Sequence, residues 1–135
     1  MTVNELARAA GVDPGKVRYY ARRGLLPARR EPGNGYRSFE TTALARLRFI
    51  TGGRALGFSL KELGRSLAQA DAGRSPCPQV RALLDERIAA VAAQRRALER
   101  EEARLNAIVA QWAAVPDGVP DEQRLCPLIE VARNA

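Results

Sequence analysis

The sequence predicts a mainly α protein: a small winged helix-turn-helix domain, a long coiled-coil helix, and a short C-terminal loop and helix. Two capped helical segments near the N-terminus are separated by a Gly-containing turn. A stretch of turn residues flanked by arginines, Pro32-Gly33-Asn34-Gly35, follows them. From Pro78 to Trp112 the chain then contains no further Gly or Pro, and its apolar residues keep heptad spacing.

Each element has a local cause. Thr2-Val3-Asn4-Glu5 matches a capping box, with Thr2 as N-cap and Glu5 reaching back. Val3, Leu6, Ala7 and Ala10 share one face of the helix it opens, and Gly11 ends that helix. Asp13-Pro14 starts the second, with Asp as cap and Pro at the first helical position, where no N–H is needed. Val17 turns to the core, which leaves Lys16, Arg18, Arg22 and Arg23 for solvent or phosphate. Gly24 stops this helix, and Leu25-Leu26-Pro27 packs its exit. Residues 29–39 form the wing, two short strands carrying Arg29, Arg30, Tyr36 and Arg37. Asn34-Gly35 tolerates the positive φ angles of a tight hairpin turn. A third helix is expected from Glu40 to Leu56, carrying Leu44, Leu47, Phe49 and Ile50. Gly57-Phe58 breaks it, and Ser59-Leu60-Lys61-Glu62, a second capping box, opens a fourth that runs to Ala70. With residues 1–70 as the winged domain, 71–77 read as a linker, 78–112 as a dimerisation coiled coil, and 113–135 as a C-terminal effector loop with a short helix.

Charge is segregated along this layout. The chain carries +7 and no histidine; residues 1–70 hold 13 Lys and Arg against 5 Asp and Glu, whereas residues 71–135 hold 9 against 10. Such asymmetry implies that one end meets a polyanion, and a basic second helix with an Arg-tipped wing presents cations and phenols to a nucleic-acid backbone. No run approaches the roughly 18 consecutive apolar residues of a membrane span. Met-Thr-Val-Asn-Glu also lacks the charged and apolar regions of a signal peptide. A cytoplasmic location with no membrane partner is the resulting expectation, and there Cys77 and Cys126 stay reduced. An enzyme is disfavoured, since the chain has no phosphate- or dinucleotide-binding Gly motif and no coherent nucleophile–base pair.

Leu84, Val91, Leu98, Leu105 and Trp112 occupy heptad d positions, with Ile88 and Val109 at a. Arg95 and Glu102 take the remaining a positions, polar interruptions that set register at a cost in stability. A helix this long projects beyond so small a domain, so a homodimer is expected. Trp112 fits either a dimer seam or loop packing. Both cysteines precede proline, in Ser75-Pro76-Cys77-Pro78 and Leu125-Cys126-Pro127. That places each at a helix start, where unpaired backbone N–H groups favour a thiolate suited to metal ligation or redox sensing. Residues 78–112 span roughly 52 Å at about 1.5 Å per residue. The 13 residues between Trp112 and Cys126 stretch at most about 45 Å. Cys126 therefore hardly returns to Cys77 of its own chain. An antiparallel coiled-coil dimer instead brings Cys77 of one protomer to Cys126 of its partner, making two equivalent sites.

The blocks Val3-Asn4-Glu5-Leu6-Ala7, Ala10-Gly11-Val12, Val17-Arg18-Tyr19-Tyr20, Arg23-Gly24-Leu25-Leu26, Asn34-Gly35-Tyr36-Arg37, Leu56-Gly57-Phe58-Ser59-Leu60 and Cys126-Pro127-Leu128-Ile129-Glu130 stand in this order along the chain. Together they resemble the MerR family of transcription regulators over essentially its whole length. The last block and the short C-terminus resemble the metal-sensing branch. The large effector domain of multidrug-binding relatives and the four-cysteine motif of the iron–sulfur branch are absent from the sequence. The resemblance implies a dimer on double-stranded promoter DNA. With inducer bound it bends and untwists the operator, so that RNA polymerase engages both promoter hexamers. It implies DNA contacts by Arg18, Tyr19, Tyr20 and Arg22 on helix two and by Tyr36 and Arg37 on the wing, beside the Lys16 already exposed by the helical pattern.

The resemblance also implies that Cys77 and Cys126 are metal ligands, with two departures. The first loop cysteine of the family is replaced around Trp112, and no histidine is present. Two thiolates suit linear coordination of a soft ion, with Hg(II) first and Cu(I), Ag(I) or Au(I) after it. Zn(II), Cd(II) or Pb(II) would require oxygen ligands from Asp117, Asp121, Glu122 or water. A redox- or electrophile-responsive regulator and a metal-independent protein-interaction module are the alternative readings.

Overall fold

The computed structural model describes every residue except Glu31, Asn34 and Ala135 and divides into two compact units, Met1–Arg87 and Ile88–Ala135. In chain order its elements are α1 (Val3–Ala10), α2 (Pro14–Arg22), β1 (Arg29–Arg30), β2 (Arg37–Ser38), α3 (Thr42–Ala55), α4 (Leu60–Asp71), α5 (Cys77–Trp112) and α6 (Pro127–Arg133). Among the described residues, no helix is long and apolar enough to cross a membrane.

The helix ends follow their local chemistry. Thr2 Oγ1 accepts the Glu5 N–H at 3.1 Å, and the Glu5 carboxylate accepts the Thr2 N–H at 3.4 Å. Gly11 closes α1 at φ +70°, a left-handed conformation that glycine adopts without penalty. Asp13 Oδ1 caps α2 through the Gly15 N–H at 3.0 Å, with Pro14 in the first turn. At α4 the capping box recurs between Ser59 and Glu62. The Ser59 backbone N–H and hydroxyl together hold the Glu62 carboxyl below the usual carboxylate range. α3 lacks such a cap: its Thr41 makes no side-chain bond, and the helix begins at Thr42 rather than Glu40.

Burial in the first unit matches the apolar faces of these helices. Leu6 and Ala7 of α1, Val17 and Tyr20 of α2, Ala43, Leu47 and Ile50 of α3, and Leu63 and Leu67 of α4 form one core with Leu26, Phe39 and Phe58, and Leu83 of α5 joins it. Leu44 and Phe49 are partly buried at its margin. Ser66, fully buried on α4, lies 3.3 Å from Gln79 Oε1 and so ties α4 to the first turns of α5.

The wing is a hairpin with Arg29 opposite Ser38 and Arg30 opposite Arg37. A two-stranded hairpin alone is marginal in water, and here the N-terminus braces it. The Met1 ammonium donates to the Phe39 carbonyl at 2.7 Å, the Phe39 N–H donates to the Met1 carbonyl at 2.7 Å, and Thr2 bridges Ser38. Gly35 supplies a positive φ of 70° at the turn, while Asn34, the other half of the expected Asn-Gly pair, lies outside the described residues. Along α5, Leu84, Ile88, Val91, Leu98, Leu105 and Val109 are left exposed.

Candidate nucleic-acid interface and thiol positions

α2 is anchored by one face and offers the other. Val17 and Tyr20 are 0% and 6% exposed, and their i, i+3 spacing places them side by side on the helix. Lys16, Arg18, Tyr19 and Arg22 are exposed. Of the two adjacent tyrosines, Tyr20 packs its ring into the core, because it lies almost one turn beyond the core residue Val17, while Tyr19 points about 100° away. Tyr19 is held in place by its neighbour, since Arg23 Nη1 donates to the Tyr19 hydroxyl at 3.2 Å and the Arg23 guanidinium lies 5.8 Å from the ring centroid. Arg23 was legible as an exposed cation, but its ordering of Tyr19 was not; the i, i+4 spacing is the signal that points to it.

The wing is fastened to α2. Arg37 Nη1 donates to the Arg18 carbonyl at 3.3 Å, and a guanidinium retains further N–H groups for a phosphate after one such bond. Arg30 Nη1 donates to the Gly35 carbonyl at 3.1 Å and closes the wing turn. Tyr36 stands 74% exposed. The Arg37–Arg18 bond thus makes α2 and the wing one connected basic element, the arrangement that draws a polyanion and makes its binding salt-dependent.

Cys77 and Cys126 are both free thiols, one in each compact unit. Cys77 is exposed and opens α5, its N–H donating to Ser75 Oγ at 3.2 Å. Cys126 is half-buried and is the N-cap residue of α6. Trp112 ends α5, and its indole N–H donates to the Leu128 carbonyl at 2.8 Å. Of the two roles open to Trp112, the structure displays loop packing. Asp121 is committed to the loop: its carboxylate accepts the N–H groups of Gln123 at 2.7 Å and Arg124 at 3.0 Å. Those bonds hold its carboxyl below the usual range. Asp117 and Glu122 are exposed. Among the described residues, no group of three or more His, Cys, Asp or Glu side chains is gathered so that it could hold a metal ion.

A helix-turn-helix whose second helix is locked to an arginine-bearing wing defines a winged helix-turn-helix DNA-binding protein. Comparison with known proteins narrows that class. Residues 1–70 match the family described as "MerR HTH family regulatory protein", and residues 44–108 match that described as "MerR, DNA binding". The chain belongs to the MerR family, whose members are transcription regulators and not enzymes. It is 31% identical over 129 residues to the mercuric resistance operon regulatory protein of Serratia marcescens, spanning 96% of this chain and 85% of that protein. The transcription regulator PbrR691 from Ralstonia metallidurans, in complex with lead(II), matches with a TM-score of 0.72 and 27% identity over 97% of this chain and 98% of that one. MerR from Bacillus megaterium, in complex with mercury(II), matches with a TM-score of 0.58 and 27% identity over 94% of each chain.

Proposed function

We propose that this chain is a homodimeric, metal-responsive transcription regulator whose inducer is a soft thiophilic ion held between Cys77 of one protomer and Cys126 of its partner. The observation that carries this reading is the pair of free thiols at the starts of α5 and α6. Its setting supports it, because the relatives include a mercuric resistance regulator and a lead-bound regulator. Two thiolates fit a two-coordinate Hg(II) or Cu(I) ion. Zn(II), Cd(II) or Pb(II) takes more donors than two, and Asp121, already accepting two backbone N–H groups, is a poor source of them. The exposed apolar stripe of α5, from Leu84 to Val109, supports dimerisation through an antiparallel coiled coil. In this reading residues 1–70 bind DNA, 71–77 link, 78–112 dimerise and 113–135 carry the effector loop.

Lys16, Arg18, Tyr19, Arg22, Tyr36 and Arg37 contact double-stranded promoter DNA in the cytoplasm, α2 in the major groove and the wing on the flanking backbone. Inducer binding then reshapes the DNA for RNA polymerase. Arg18→Ala is expected to weaken operator binding and to lower the salt slope by about one unit per protomer. Fluorescence anisotropy across a salt series checks this, and unchanged affinity and slope remove Arg18 from the interface.

The metal reading is tested by titrating fully reduced protein with Hg(II), Cu(I), Zn(II), Cd(II) and Pb(II) against a strong thiol competitor. One ion bound tightly, and lost on either Cys77→Ser or Cys126→Ser, supports the proposal and names the inducer. Absence of tight, cysteine-dependent binding overturns it in favour of a redox or metal-independent regulator on the same DNA-binding fold.

A further inference from the structure

The chain between α5 and α6 folds back at once after Trp112. The indole N–H at the last residue of α5 reaches the Leu128 carbonyl, 16 positions on, at 2.8 Å. The loop backbone also passes against the first turn of α6, since a Cβ at Gly118 would stand 2.5 Å from Pro127 Cγ and 2.7 Å from its Cδ. Asp121 then turns the chain: its N–H donates to the Arg124 carbonyl at 3.0 Å while its carboxylate accepts from Gln123 and Arg124. Ile108, four residues before Trp112 on the same face, is buried although most of the apolar stripe of α5 is not. All these contacts lie within the second unit.

α6 has 7 residues, too few to persist as a helix without something to dock on. Its position, and that of the thiol at its N-cap, is therefore set by what holds its first turn. We propose that Trp112 is a positioning residue for Cys126, clasping the first turn of α6 to the last turn of α5 so that the thiol is held in place before any ion arrives. An indole suits the task, because it brings a large apolar ring together with one obligate N–H donor. Cys126 on an unclasped tail would range widely, and an incoming ligand would have to remove that freedom, at the expense of affinity. The purpose of the clasp rests on the metal reading above; its geometry does not.

The test compares the full, reduced, metal-free chain with its Trp112→Phe variant, which keeps an aromatic ring and deletes the N–H. Timed alkylation followed by peptide mass mapping reads each cysteine separately. Cys126 is expected to react about fivefold faster in the variant, the effect of losing one net hydrogen bond, while Cys77 reacts as before. An unchanged rate at Cys126, or an equal rise at Cys77, overturns the clasp. If Trp112→Phe does not fold, Gly118→Ala poses the same question, because its methyl group pushes Pro127 away with Trp112 intact. Where the parent binds Hg(II) tightly, Trp112→Phe is also expected to bind it about fivefold more weakly. Where the parent binds no ion, the metal reading fails, and the alkylation contrast still decides the clasp.

Discussion

Gly53→Val is expected to destabilise the first unit by about 2–3 kcal/mol, whereas Gly52→Ala, one residue earlier, is expected to stabilise it by about 0.5–1 kcal/mol. Both glycines lie within α3. A Cβ at Gly53 would fall 2.3 Å from Leu63 Cδ2, with Cδ1 and Cγ at 3.1 and 3.2 Å. Leu63 is 1% exposed, so its side chain has no solvent to swing into, and a close-packed core gives way only by straining rotamers or backbone. Valine adds two further methyl groups to that collision. At Gly52 nothing lies within 4 Å of the added carbon. There, alanine only reduces the backbone entropy lost on folding a helix. Thermal unfolding of the two variants checks this, and shifts of the same sign would contradict the close approach of α3 and α4.

Mixing Cys77→Ser and Cys126→Ser protomers is expected to restore the metal binding that each variant lacks alone. In the proposed antiparallel dimer every site takes one Cys77 and one Cys126 from different chains, so either single variant breaks both sites. The mixed dimer keeps one whole site, formed by the Cys77 of one chain and the Cys126 of the other, and binds one ion where the parent dimer binds two. Each homodimeric variant is expected to lose more than about 100-fold in affinity, since altering even a partner of a ligand typically costs 10–100-fold. Co-expression with two affinity tags isolates the mixed dimer for titration. A within-chain site predicts no restoration, because neither protomer of the mixture then owns both thiols.

Much of the fold is legible in the sequence. The capping boxes at Thr2–Glu5 and Ser59–Glu62 and the Asp13-Pro14 start all formed as read, because each is a bond between residues two or three apart. The wing forms between Arg29 and Phe39, where the turn residues put it, yet nothing in the local pattern shows that Met1 pairs with Phe39 and braces it. Two adjacent tyrosines look alike in sequence; the phase set by Val17 sends Tyr20 into the core and leaves Tyr19 beside Arg23. For the candidate site, the basic residues of α2 and the two cysteines at helix starts were legible. The internal bonding of the loop between α5 and α6 was not.

By itself the sequence determined where the capped helices α1, α2 and α4 start, which face of α1 is apolar, and that positive charge gathers in residues 1–70. These depend on composition or on neighbours within one helical turn. Only the tertiary structure decided that Gly53 receives Leu63, that Arg37 fastens the wing to the Arg18 carbonyl, and that Trp112 meets Leu128. Those partners stand ten or more positions apart. Which distant residues meet is set by the joint packing of several helices, and no local window of sequence contains that information.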